Sequence, residues 1–448
     1  MQIEKNSDKL VRTLRIRILD QPGYLGKLAT AIGAEGGNIG DITFVHTGLT
    51  HNTRDVTVYI DHEKHLEEIL SAVGQVEGIS IIDVIDPVLQ RHKGGKIAVK
   101  STVALETLSD ARKVYTPGVA NVCCLIRDNP EMANDYTAIN NTVAIVTNGT
   151  AILGLGDIGP VAGMPVMEGK AVLFDKLAGI SGVPILLKTK DVDEFVQTVI
   201  QISPGFGAIQ LEDVAAPACF EMERRLDQTL DIPVMHDDQH GTAVVVLAAL
   251  TNACKYSGVS MKKEVVGVIG LGAAGIGISN LLQSYGIKKL IGNDLRAEAM
   301  EMQRAMGGEP ASLTEIMEKS NIVIATTGCP NLIKPEMVKP GQIILALSNP
   351  NAEIKPEEAL ARGAAFAADG RSVNNALGFP GLFRGALNAR ATIINQRMKL
   401  AAAKAIAELT PAGEIVPNFL DLEVHQAVAK EVERAAMESG AIRPRSNV

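Results

Sequence analysis

Apolar and polar residues alternate over residues 11–19, where Val11, Leu14, Ile16 and Ile18 stand among arginines, the period of a strand. The period then lengthens. Leu25, Leu28, Ala31 and Ile32 fall at helical spacing over residues 23–35, and Gly36-Gly37-Asn38 stops that helix. Strands are predicted over 39–47 and 55–60, a second helix over 62–73 and a last strand over 79–85. The order βαββαβ is that of the split βαβ sandwich. Residues 87–100 are polar and basic and read as a linker. Beyond Ser101 the pattern changes to α/β alternation. Strands at 142–146, 183–187, 207–211 and 232–235 frame helices at about 164–178 and 193–202. Residues 242–255 are apolar and helical and lead into a third region. Strands at 265–269, 289–291, 322–326, 343–347 and 365–368 follow, and helices at 385–409 and 422–437 close the chain. The expected domains are 11–86, 101–243 and 244–409, with a C-terminal helical segment at 410–448.

Composition narrows the class. A length of 448 residues suits about three domains, and 46% apolar with 21% charged residues is ordinary for a globular protein. Forty-two glycines against no tryptophan suit an α/β fold with many tight turns. A net charge of −8 argues against a nucleic-acid partner, which a basic face would attract. Residues 1–10 are polar and lack the apolar heart of a secretory signal. The longest apolar run, near 243–250, falls far short of the roughly 20 residues that span a bilayer, so no membrane partner is expected. Cys123, Cys124, Cys219, Cys254 and Cys329 show no Cys-x-x-Cys spacing, and their odd number excludes full internal pairing. Reduced thiols and a cytoplasmic location are expected.

The candidate chemistry begins with four carboxylates in two adjacent pairs, Glu212–Asp213 and Asp237–Asp238. Each pair follows a predicted strand, at the edge where α/β proteins bind ligands. Alone, acidic doublets are more often solvated turns. If they converge, their repulsion calls for a hard cation such as Mg²⁺ or Mn²⁺. Next comes Gly270-Leu-Gly272-Ala273-Ala274-Gly275, between a predicted strand and a predicted helix. Gly270 suits the turn, Gly272 a close approach to pyrophosphate, and Gly275 tight helix–strand packing. Asp294 could accept from the ribose hydroxyls, which favours NAD. Arg296 could instead meet a 2′-phosphate, which leaves NADP open. The loop Gly154-Leu-Gly-Asp157-Ile-Gly159 suits backbone passing close to a substrate, with Asp157 bonding locally.

On the ferredoxin-like frame of residues 11–86, Asp20-Gln-Pro-Gly23-Tyr-Leu25-Gly26 and Gly36-Gly-Asn38-Ile39 resemble an ACT domain. The resemblance implies an amino-acid-like effector near Asp20, Gly23, Leu25, Asn38 and Ile39, at an interface of a homodimer or higher homo-oligomer. A purely oligomeric role without ligand is the alternative.

From residue 101 to the C-terminus, six motifs in order resemble the short bacterial form of malic enzyme. They are Tyr115-Thr-Pro-Gly-Val119; Leu153-Gly-Leu-Gly-Asp-Ile-Gly-Pro160 with Lys170; Leu211-Glu-Asp213; His236-Asp-Asp-Gln-His-Gly-Thr-Ala243; Leu347-Ser-Asn-Pro350; and Asn374-Asn-Ala-Leu-Gly-Phe-Pro-Gly381. The resemblance implies an α/β catalytic domain followed by a Rossmann-type domain, and metal-dependent oxidative decarboxylation of malate to pyruvate with NAD or NADP. Glu212, Asp213 and Asp238 match metal ligands, Lys170 a catalytic base, Tyr115 a catalytic acid, and Asp237 an aspartate beside them. Asn349 and Asn375 match substrate-contacting asparagines. Asn349 also stands at a predicted strand end, at the cofactor edge. Lys170 suits a base if burial and a nearby cation lower its pKa. His236 and His240 are expected to pack or to support the ligands. The sequence departs from the large eukaryotic forms at Ala151, where those carry a carboxylate-binding arginine, and at Asn148, where aspartate is common. A malolactic-type or oxaloacetate-decarboxylating activity on the same scaffold is the alternative.

Overall fold

A computed structural model describes residues 9–443; residues 1–8, in which the absent signal was read, and the last five of the 410–448 segment lie outside the described residues. Two compact units divide the chain, Met1–Ala98 and Val99–Val448.

The N-terminal unit runs β1 (Leu10–Leu19), α1 (Tyr24–Ala34), β2 (Asn38–Thr47), β3 (His51–Ile60), α2 (Glu63–Gly74), β4 (Ile79–Ile85) and α3 (Pro87–His92). Its antiparallel sheet has the order β2-β3-β1-β4. The alternation read in β1 puts Leu14, Ile16 and Ile18 inside, and the register pairs Leu14 with Val56. Leu28, Ile32, Leu66, Ile69 and Val73 of the two helices complete that core. The predicted linker opens as a helix. Asp86 caps α3 by accepting from Val88 N and Leu89 N, and Pro87 takes the first helical position.

The second unit opens with α4 (Leu108–Val114), α5 (Val119–Asp128) and α6 (Ala133–Tyr136). Then come β5 (Thr142–Thr147), α7 (Pro160–Ala178), β6 (Ser181–Leu186), α8 (Val192–Ile202), β7 (Ala208–Leu211), α9 (Ala218–Thr229) and β8 (Val234–His236). They form a parallel sheet ordered β6-β5-β7-β8, whose strand order reverses between β5 and β7. A long buried helix, α10 (Asp237–Tyr256), leads out of it.

The second sheet follows through β9 (Val265–Ile269), α11 (Ala273–Tyr285), β10 (Lys289–Asn293), α12 (Ala297–Ala305), β11 (Glu309–Pro310), α13 (Leu313–Lys319), β12 (Ile322–Ala325), β13 (Ile343–Ala346), α14 (Pro356–Ala361) and β14 (Phe366–Asp369). All its pairings are parallel, in the order β11-β10-β9-β12-β13-β14. This is the Rossmann order, with its crevice at β9/β12. The closing helices α15 (Phe379–Ala389), α16 (Gln396–Glu408) and α17 (Leu422–Glu438) pack on one another and on α7 and α10. No helix among the described residues is long and apolar enough to cross a membrane.

Two helices differ from expectation. The predicted helix at 385–409 is two. Arg390 turns left-handed at φ 52, and Asn395 caps the restart by accepting from Met398 N. Neither glycine nor proline marks the break. The other, α10, starts at Asp237 rather than at 242, because its first turn is polar yet buried, which apolar periodicity does not register.

Candidate active site

The carboxylates converge. Glu212 and Asp213 follow β7, and Asp237 and Asp238 form the first turn of α10, directly after β8. One oxygen each from Glu212, Asp213 and Asp238 lies within 4.8 Å of the others. Asp213 takes a left-handed φ of 53, and its N–H donates to Asp238 Oδ2 at 3.0 Å, which ties the two strand ends together. Burial pushes the Glu212 carboxyl well above its usual value; Lys170 pulls it back, and Asp238, Asp237 and Asp213 push it further. Three hard oxygen donors under mutual repulsion fit Mg²⁺ or Mn²⁺ and do not suit a soft ion.

Lys170 projects from α7 into the same centre. Its Nζ lies 2.5 Å from Asp237 Oδ2 and 3.0 Å from Glu212 Oε1, and 4.6 Å from the centroid of the Phe379 ring. Asn375 Nδ2 donates to the same Asp237 oxygen at 3.0 Å. Burial lowers the lysine's pKa, as expected, but Asp237, Glu212 and Asp238 outweigh it and hold the ammonium above its usual value. The protein groups alone therefore do not produce the lowered base that the sequence suggested.

Around this centre, Thr150 Oγ1 donates to Asn148 Oδ1 at 2.7 Å and accepts from Ala215 N at 2.9 Å. That contact gives Asn148 a role in shaping the turn. Ala151 N–H donates to the Asp213 carbonyl. A cavity of about 360 Å³ opens between Thr150, Ala151 and Gly154 on one side and Gly328, Asn349 and Pro350 on the other. Asn349 therefore sits where the two sheets' loops face each other. Asp157 pairs with Lys190 at 2.5 Å.

The glycine turn after β9 has the form read from the sequence. Gly270 is left-handed at φ 88, and a Cβ on Gly275 would lie 1.9 Å from the Gly270 carbonyl oxygen. Gly272, Ala273 and Ala274 open α11, whose unpaired N–H groups suit a pyrophosphate. Asp294 Oδ2 accepts from Leu271 N at 2.7 Å, and Asp294 Oδ1 accepts from Arg296 N at 2.9 Å and Nε at 3.1 Å. Asp294 and Arg296 thus hold each other as well as the turn.

Tyr115 is not brought to this centre. It is 73% exposed at the end of α4, and among the described residues its hydroxyl has no hydrogen-bond partner. In the N-terminal unit Asp20, Gly23, Leu25 and Asn38 are exposed and Ile39 is half-buried. A cavity there of about 600 Å³ is lined instead by Arg15, Asp83, Leu89 and their neighbours.

Several site residues escaped the sequence reading. Gly241 leaves room for Asp237: a Cβ there would lie 1.9 Å from Asp237 Oδ1. Glu223 of α9 accepts the His236 N–H at 2.7 Å and lies 3.0 Å from His240 Nε2. Burial works against its charge, yet His240, Lys399 and His236 bring its pKa down to about 2. Lys399 of α16, buried opposite Glu223 and Asp227, falls to about 8. A signal existed for Glu223, since it lies at helical spacing from Cys219 and Leu226, both buried.

In the second unit, fold and site define a two-sheet α/β body that joins a cation-ready carboxylate centre to a dinucleotide-binding turn. Residues 94–227 match the domain described as malic enzyme, N-terminal domain, and residues 239–296 match malic enzyme, NAD binding domain. The chain is 56% identical to NAD-dependent malic enzyme 1 of Bacillus subtilis, over 96% of this chain and 98% of that protein. It is 44% identical to the bifunctional malic/malolactic enzyme of the same organism, over 79% of this chain and 93% of the other. The crystal structure of an NAD-dependent malic enzyme from Thermotoga maritima superposes with a TM-score of 0.73 at 38% identity, over 78% of this chain and 99% of that one. The chain belongs to the malic enzyme family.

Proposed function

We propose that the chain converts (S)-malate and NAD⁺ to pyruvate, CO₂ and NADH with a divalent cation, and that the carrying observation is Lys170 held between Glu212 and Asp237 beside three convergent carboxylates. Residues 101–243 are read as the metal and lysine domain and 244–409 as the dinucleotide domain. Glu212, Asp213 and Asp238 would hold the ion. When bound, the ion supplies Lewis acidity at the malate hydroxyl and offsets the carboxylate charge around Lys170, and NAD⁺ supplies the hydride acceptor. Lys170 is read as the base that takes the C2 hydroxyl proton. Asp237, fixed by Asn375 and Gly241, aims the lysine. Tyr115 is read as the acid that returns a proton to C3 of enolpyruvate. Asn349, at the cavity between the sheets, is read as contacting malate and the nicotinamide end.

The test is NADH absorbance with malate and Mn²⁺, run in parallel with NADP⁺. NAD⁺-dependent turnover is expected, and Asp238→Asn is expected to weaken Mn²⁺ binding roughly tenfold or more. Unchanged Mn²⁺ affinity by titration would remove Asp238 from the ligand set. The likeness to a bifunctional malic/malolactic enzyme supports a second reading, in which lactate accumulates from malate without net NADH. Lactate assay in the same mixture separates the two. The N-terminal unit is read as an oligomerisation module that takes an amino-acid-like effector. A panel of amino acids in that assay tests it, and no shift from any of them leaves oligomerisation alone.

A further inference from the structure

Two loops leave the second sheet at its ligand edge, past Ala325 and Ala346, the last paired residues of β12 and β13. The first loop carries Gly328 and Pro330, the second Asn349 and Pro350, and all four line the cavity between the sheets. Strand pairing no longer joins the two loops at that point, and a buried carboxylate joins them instead. Glu353 is fully buried, yet it forms no ion pair with any described lysine, arginine or histidine. A buried charge without a counter-charge is sustained only by several hydrogen bonds, and Glu353 has four. Thr327, on the first loop, donates to Oε1 from its N–H at 2.7 Å and from Oγ1 at 3.0 Å. Ser348, on the second, donates to Oε1 from Oγ at 2.5 Å and to Oε2 from its N–H at 3.2 Å. Gly328 N–H donates in turn to Ser348 Oγ at 2.7 Å, a second link between the loops.

The base of this clamp is fixed. The Glu353 carbonyl accepts from Ile333 N at 3.0 Å and the Ala352 carbonyl from Asn331 N at 3.2 Å. The residue it aims is Asn349, directly after Ser348. A Cβ on Gly370 would lie 2.7 Å from Asn349 Nδ2, and one on Gly154 would lie 3.2 Å from the Asn349 carbonyl oxygen. Asn349 therefore sits in a narrow gap, and a shift of its loop has nowhere to be absorbed. The acceptor pattern is also specific to a carboxylate. Each oxygen of Glu353 takes a backbone N–H, Thr327 on Oε1 and Ser348 on Oε2. A carboxamide of the same shape would set its NH₂ against one of them and leave buried donors face to face.

We propose that Glu353 is a positioning residue for the reaction: through Thr327 and Ser348 it sets the spacing of the loops after β12 and β13 and so holds Asn349 in its working place. This rests on the reading of Asn349 as the group that contacts malate and the nicotinamide end. Glu353 itself touches neither. The competing role is support of the fold alone, which would act on no particular side chain of the site.

A double-mutant cycle separates the two roles. Turnover with malate, NAD⁺ and saturating Mn²⁺ is measured for the wild type, Glu353→Gln, Asn349→Ala and the double variant. Displacing an orienting group by roughly 1 Å can cost about 10²-fold, so kcat in Glu353→Gln is expected to fall roughly tenfold or more. Mn²⁺ affinity is expected to stay unchanged, because the carboxylate centre is built on the other sheet. The double variant is expected to be no slower than Asn349→Ala alone. A double variant slowed by the product of the two single losses overturns the proposal, since Glu353 would then act on something other than Asn349. Wild-type turnover in Glu353→Gln overturns it directly. Should the Gln chain fail to fold, Ser348→Ala keeps the carboxylate and removes only the hydroxyl link. Its loss is expected to be smaller and to vanish on the Asn349→Ala background, and persistence there counts against the proposal in the same way. Amide exchange reads the clamp without the reaction. Protection at Thr327, Gly328 and Ser348 is expected to fall together in Glu353→Gln while β12 and β13 keep theirs, and unchanged protection overturns the clamp. Failure of the underlying reading looks different: Asn349→Ala would turn over like the wild type, or the wild type would form no malate-dependent NADH, while the exchange result stood. The assignment of Glu353 to the reaction would then fall with it.

Discussion

Glu223 couples stability to site geometry at the level of a single carboxylate. It holds the N–H of His236, one residue before the acidic turn, and it compensates the buried ammonium of Lys399. Glu223→Gln keeps an acceptor for the backbone but removes one of the two carboxylate charges, with Asp227, that face Lys399. Weakening a buried charge network this way costs about 1–3 kcal/mol, so a fall in urea midpoint is expected. A midpoint within error of wild type would mean that Lys399 is neutral or hydrated in the fold. The pH dependence has a defined sign. Glu223 titrates at about 2 in the fold against 4.5 in an open chain, so its contribution is complete above pH 4.5 and is lost as pH falls toward 2. The Gln variant should lose less stability over that acid range than the wild type. At the other end, Lys399 titrates near 8 in the fold against 10.5 unfolded, so its contribution grows as pH rises across that window. The groups that face it are Glu223 and Asp227 of α9 and His240 of α10.

Elements differ in how much of themselves they reveal in sequence. The β9 turn was legible at Gly270 and Gly275, because a left-handed residue and a close helix approach admit few side chains. Gly275→Ala should therefore push the Gly270 carbonyl aside and weaken NADH binding tenfold or more in a fluorescence titration. Overpacking of this kind costs about 1–3 kcal/mol. Wild-type affinity in that variant would show that the turn yields. The carboxylate centre was legible for the same kind of reason: short strands deliver charged pairs to one edge of a sheet. The start of α10 and the break at Arg390 were not. The first hides polar residues inside, and the second interrupts a helix without a breaker, held instead by the Asn395 cap. Glu223 and Lys399 were missed because charged residues at core spacing read as solvated until a partner is placed opposite.

In the whole molecule, residues 11–86 differ from the rest in composition and period, and the compact N-terminal unit runs on through the linker to Ala98. The exposure of residues 99–128 was not visible, since a chain's own periodicity gives the spacing of apolar residues and not what they pack against. A chain beginning at Val99 should keep malate-dependent NADH formation, given its likeness to the Thermotoga protein, and should lose any response to amino acids. Loss of turnover on that truncation would instead make the N-terminal unit part of the active assembly. One feature spans the two sheets. α10 begins with Asp237 and Asp238, and the carbonyl of the next residue, Gln239, meets Gly277 of α11 so closely that a Cβ there would come within 2.2 Å. The ion site and the dinucleotide helix are thus gauged against one rigid rod. A residue inserted just after Asp238 would turn the rest of the rod by about 100° and advance it about 1.5 Å. This stretch should accept changes of side chain far more readily than any change of length.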